Sequence, residues 1–186
     1  MAEEKNMHVK VAMAEVFGLV LIGFIATLVG MFGLEQYDDL NVIIGVAPTV
    51  GLLLLVATIV AYLNENILLT GIFGVLALFL MAFEGIIQHD AAGATAIAFV
   101  GVILLVMALV SFAQPVKMLP ILLIVAGIAF ILLALWWAEG DLLNNDYRMI
   151  TGVFWTLVAV IAVYMAAAIS LLVVKGKPVL PLLIKA

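Results

Sequence analysis

The chain contains no cysteine, which removes disulfides, thiolate metal sites and thiol nucleophiles together. Its only serines are Ser111 and Ser170 and its only histidines are His8 and His89, so a serine hydrolase dyad has no convenient partner. Charge is scarce as well, with 7 Lys and Arg against 12 Asp and Glu in 186 residues. This is not the inventory of an enzyme, and no cofactor, metal ion or nucleic acid is an expected partner.

Apolar residues make up 68% of the chain, in blocks too long for the buried elements of a soluble core. A helix needs about 20 of them to cross a bilayer. Six such runs follow one another with short links, at Glu15–Leu34, Asn41–Leu63, Ile67–Ile87, Ala94–Ala113, Leu119–Ala138 and Met149–Val174. The expected fold is therefore an all-α integral membrane protein of six transmembrane helices. Residues 1–14 form an N-terminal segment, 15–174 the membrane domain and 175–186 a basic tail. Lys5 and Lys10 ahead of the first run give it the look of a secretory signal. The run is longer than the roughly 7–15 apolar residues of such a signal, and Glu15 interrupts its start, so an uncleaved helix is expected.

Six spans place both termini on one side, together with the links at 64–66 and 114–118. That side carries Lys5, Lys10, Lys117, Lys175, Lys177 and Lys185; the other carries Arg148 alone, against Glu35, Asp38, Asp39, Asp90, Glu139, Asp141 and Asp146. Positive charge accumulates on cytoplasmic loops, so both termini are expected in the cytoplasm and the protein in the cell membrane.

Few side chains inside the spans carry chemistry. Glu139 and Asp141 stand close together, as acid/base catalysis or a hard cation would require, but they follow Trp136 and Trp137, whose rings suit an interface, and read as an exposed turn. Glu15 and Glu84 lie near opposite span ends, where they either snorkel to the interface or line the two mouths of a pathway. Thr27, Thr49, Thr58, Thr70, Thr156 and Tyr164 sit deeper and uncharged, and a threonine hydroxyl can return to its own helix. Small residues four apart, in the pairs Ala47/Gly51, Thr70/Gly74, Ala94/Ala98 and Ala162/Ala166, offer faces for close helix approach. Pro48 and Pro120 fall in or at the start of spans.

The stretch "VYMAAAISLLVVKGKPVLPLL", Val163 to Leu183, resembles the last helix and tail of the acetate uptake transporter family, the bacterial succinate/acetate permeases. The positions that carry the likeness are Tyr164, Ala166, Gly176, Lys177, Leu180 and Pro181, with Gly23, Phe24 and Thr27 in the first span. The family's first-helix Asn-Pro-Ala-Pro-Leu-Gly signature is missing; "AEVFGLV" stands there, from Ala14 to Val20. Ile169 occupies a position where the family carries an acid. The resemblance implies six helices around a narrow central pore, six subunits per assembly, and a pore closed by stacked apolar side chains at Phe24, Val75 and Ala126. Val75 and Ala126 lack the expected bulk, so the constriction is either wider here or closed by residues such as Leu76 or Phe130. Thr27, Thr70, Thr156 and Tyr164 would line the pore, with Glu15 and Glu84 at its mouths.

No Lys or Arg lies inside a span and the outer face is acidic, so a bare carboxylate meets repulsion and then an uncompensated loss of hydration. The expected function is passage of a small monocarboxylate such as acetate, as the neutral acid or by symport with a proton. The alternatives are a channel for another small neutral solute of the urea or short-amide kind, and a non-transporting scaffold subunit. The charge sorting makes a direct prediction: a reporter fused after Ala186 is cytoplasmic and a tag inserted at Gln36 is external. An external C-terminus would overturn the six-span count.

Overall fold

An apolar chain must satisfy its backbone polar groups within itself, and one helix can do that without a partner. The computed structural model describes residues 2–114, 116–177 and 179–182, without the side chains of residues 2–13 and 90. His8, Asp90 and the expected anchors Lys5, Lys10 and Lys185 thus lie outside the described residues or side chains. Among the described residues there are seven helices: α1 (Ala2–Gly33), α2 (Asn41–Leu63), α3 (Ile67–Met81), α4 (Phe83–Ile87), α5 (Asp90–Ser111), α6 (Met118–Ala138) and α7 (Tyr147–Lys175).

Five of them, α1, α2, α5, α6 and α7, are long and apolar enough to cross a membrane; α3, at 15 residues, is a shorter apolar helix. The continuous third span expected over 67–87 is instead broken at Ala82 into α3 and the short α4. No proline or glycine stands at the break. Its position follows from α2, whose Gly51 lies against Ala77 O and Met81 N and holds α3 backbone to backbone as far as Met81. Just beyond that contact Ala82, at φ −90° and ψ 0°, leaves the helical region, and Phe79 and Phe83 span the break with ring centroids 5.7 Å apart. Helix α1 also starts well before Glu15.

The long helices and α3 close into a ring: α1 packs on α2 and α7, α2 on α3, α3 on α5, α5 on α6, and α6 on α7. Three of these seams are made by glycine. A Cβ added to Gly33 would stand 2.5 Å from Gly152 Cα, and one on Gly30 2.6 Å from Thr156 Oγ1, so α1 and α7 touch main chain to main chain. Gly101 and Gly127 do the same for α5 and α6, each facing the other's carbonyl oxygen at 2.9–3.0 Å from a built Cβ, and Gly51 does it for α2 and α3. Without a hydrophobic force between helices in lipid, such close approach is what drives their association.

Local signals fix the ends. Asn66 caps α3 by accepting from Leu69 N at 3.2 Å, and Gly176, in the left-handed region at φ 66°, ends α7 with its N–H on Leu172 O. The buried Arg148, read from sequence as an outer-face charge, instead donates Nε and Nη2 to Phe32 O and Nη1 to Leu143 O. Its guanidinium sits 5.2 Å from the centre of the Phe32 ring and pairs with Asp38, and Phe32 in turn stacks on Trp136. The loop after α1, the end of α6 and the start of α7 are thereby tied together.

The glycine seam gives a testable consequence. Gly152→Val forces a side chain into the backbone of α1, and overpacking of this kind costs about 1–3 kcal/mol. Its thermal midpoint in detergent should fall, whereas Gly45→Ala, which meets nothing within 4 Å, should hold or gain slightly. Equal midpoints for Gly152→Val and the unmodified protein would mean that the seam does not hold the ring.

Candidate functional site: a central apolar cavity

The inward faces of the ring do not meet on its axis. They leave a cavity of about 90 Å³, where one water needs roughly 10–15 Å³ on the same measure. Helix α1 lines it with Leu19, Ile22, Ile25 and Val29, and α6 with Leu122, Leu123, Ala126, Phe130 and Leu133. Steps of three and four residues put each set on one helical face. Helix α3 adds Phe73, Leu76 and Phe79 among others, α7 adds Trp155, Val158, Met165 and Ile169, and α2 and α5 contribute Leu54 and Leu104.

Only three of the lining residues have a polar side-chain atom. Glu15 and Gln114 lie together at one end, where Asn66 Nδ2 donates to Glu15 Oε1 at 3.3 Å. The third is Trp155, one helical face along α7 and about 20 Å from Ile169 at the Glu15 end, at 1.5 Å per residue. Phe79, Phe130 and Trp155 form a run of edge-to-face rings, at 5.2 and 4.9 Å between centroids, on the cavity wall.

Of the residues expected along a pore, Glu15 and Ala126 border this cavity, as do Leu76 and Phe130. Phe24 does not. It is 49% exposed on the outward side of α1, because Ile22 and Ile25 take the inward positions on either side of it. Val75 is half-buried next to the lining residue Leu76, and Glu84 is exposed on α4. The expected polar lining is likewise elsewhere, with its hydroxyls engaged. Thr27 donates to Gly23 O, Thr70 to Asn66 O and Thr156 to Gly152 O, each at 2.8 Å, and Tyr164 donates to Pro181 O at 3.0 Å. The tyrosine and Leu-Pro of the tail motif therefore meet each other, clasping the tail against α7. Trp155 escaped the sequence reading; its one signal was a tryptophan well inside an apolar run rather than at an interface.

Asp141 is a loop cap. It accepts from Leu143 N and Asn144 N at 3.1 Å and from Asn144 Nδ2, and those bonds, the backbone N–H of Asn144 first, hold its carboxyl below the usual aspartate range. No cluster of His, Cys, Asp or Glu suited to a metal ion occurs among the described residues.

The ring of apolar helices and its cavity define a multi-pass helical membrane protein with an internal chamber. The fold is that of a solved bacterial acetate channel, SatP: the two superpose with a TM-score of 0.81 over 90% of this chain and 97% of that one, at 18% sequence identity. No family model and no curated protein matches the chain by sequence.

The absence of cysteine allows the cavity to be mapped directly. A water-soluble thiol reagent should modify Glu15→Cys and Gln114→Cys in reconstituted protein, read by intact mass, and leave Phe24→Cys untouched. Reaction at Phe24→Cys alone would move the water-filled route to the other face of α1.

Proposed function

We propose that this protein is a channel or transporter that passes a small monocarboxylic acid such as acetate across the cell membrane, as the neutral acid or together with a proton. In this reading α3 and α4 together make the third of six spans, both termini are cytoplasmic, and six copies assemble. The observation that carries it is a closed ring of helices around an apolar cavity of about 90 Å³, in a fold shared with an acetate channel. Physical chemistry supports the neutral form. The cavity wall holds no cation, and an unpaired carboxylate in apolar surroundings loses hydration worth several kcal/mol, while the protonated acid does not. Glu15, a carboxyl on the cavity border with Asn66 beside it, is the group in this reading that exchanges a proton with the permeant.

Liposomes with purified protein test this against the alternatives. Labelled acetate should enter faster than into protein-free liposomes, and faster still as the outside is acidified, in proportion to the protonated fraction. Ala126→Trp fills the cavity and should reduce the protein-dependent rate to background, whereas Phe24→Ala should leave it unchanged. Uptake of labelled urea but not acetate would favour a channel for another neutral solute. If neither solute enters, the scaffold reading stands.

A further inference from the structure

Beyond its mouth the cavity has one polar group, and that group is unsatisfied. Trp155 is 95% buried, at 5% exposure, it lines the cavity, and its Nε1 has no hydrogen-bond partner among the described residues. A buried N–H left unpaired is uncommon and costly. One turn earlier stands Thr151, at 0% exposure, whose Oγ1 is also without a partner among the described residues. Its state contrasts with that of Thr27, Thr58, Thr70, Thr95 and Thr156, each of which returns its hydroxyl to the carbonyl four residues back. Spacings of four and seven put Thr151 on the same face of α7 as the lining residues Trp155 and Val158. Helical side chains lean toward the N-terminus, which brings the indole over the turn that carries Thr151. Two polar groups of different kinds, one turn apart on α7, are thus without a partner among the described residues: Trp155 on the cavity wall, and Thr151 buried one turn beyond the lining. One is donor only, and the other both donates and accepts.

We propose that Trp155 and Thr151 form a recognition station for the carboxyl group of a neutral acid. Trp155 Nε1–H donates to the carbonyl oxygen, and Thr151 Oγ1 accepts the acid's O–H. Residues one turn apart have Cβ atoms about 5–6 Å from each other, a gap that a single carboxyl group with its two oxygens can bridge. The apolar remainder of the acid then lies against the rings of Phe79 and Phe130. The station rests on the proposed passage of a monocarboxylic acid, and it adds what that reading lacks: a reason for the cavity to prefer a carboxyl over an equally small solute with no acceptor. A primary amide has the same acceptor and donor pattern at every pH and is therefore a second probe.

The test combines flux with a direct view of the indole. Trp155→Phe keeps an aromatic ring and removes the N–H; Thr151→Val keeps the shape and removes the hydroxyl. Each should raise the half-saturating acetate concentration by about three- to tenfold, the worth of one neutral hydrogen bond, with a smaller change in maximal rate. In 15N-labelled protein in micelles, the chain's 3 tryptophans give three indole N–H signals, and the one absent from Trp155→Phe belongs to Trp155. That signal should shift downfield and saturate with acetic acid below its pKa and with acetamide at any pH. A stationary Trp155 signal, together with unchanged half-saturation in both variants while the unmodified protein still transports acetate, would overturn the station and leave the channel reading intact. A saturable shift in a protein that transports nothing would support the station and defeat the channel reading. Neither flux nor shift would defeat both.

Discussion

Gly33 and Gly152 meet main chain to main chain, and the ring depends on that contact. The helices they join are the first and the last of the bundle, so this seam turns a row of helices into a closed wall. Lipid gives two apolar helices no reason to associate beyond what water-free packing supplies, and dispersion falls steeply with separation. Only residues without a side chain let the backbones approach this closely. Arg148 then secures the end of the seam by reaching from α7 to the carbonyl of Phe32 on α1. The tail is held at the other end of α7 by Tyr164 and Pro181.

Tight seams have a consequence at the axis. With α1/α7, α2/α3 and α5/α6 each drawn together by glycine, the cavity is lined by large side chains, Ile22, Phe73, Phe79, Phe130 and Trp155 among them, of which the last three pack ring to ring along its wall. The same residues that stabilise the wall therefore make the chamber apolar. Size and charge act together in such a chamber, because a solute must fit between rings and must also surrender its water. The polar groups that remain are few enough to be assigned: Glu15 and Gln114 at one end and the indole of Trp155 within.

The residues named from the sequence and from its family resemblance fall on both sides of the helices, for a physical reason. Glu15, Ala126, Leu76 and Phe130 border the cavity, whereas Phe24 does not. Phe24 and Ile22 are two residues apart, which is about 200° around a helix, so a small error in register exchanges the inside for the outside. The threonines looked like pore lining because they are the polar atoms of the spans. In the fold Thr27, Thr70 and Thr156 bond to their own helices, as hydroxyls in an apolar medium do when nothing else is offered. Arg148 looked like an interfacial charge, and only the approach of Phe32, Leu143 and Asp38 shows it to be a buried tie.

The amino-acid sequence by itself determined that this chain is helical and belongs in a membrane. Long apolar runs have no other way to satisfy their backbone there, and the links between them are too short for anything but neighbouring helices to follow one another. It also determined where most helices end, through Asn66, Gly176 and the polar links. The tertiary structure alone decided which side of each helix looks inward, where the third apolar run bends, and which polar groups are left without a partner. In water the core face of a helix declares itself by being apolar. In lipid both faces are apolar, so the choice passes to shape, to the places where glycine lets two backbones touch, and those contacts exist only once the helices are assembled.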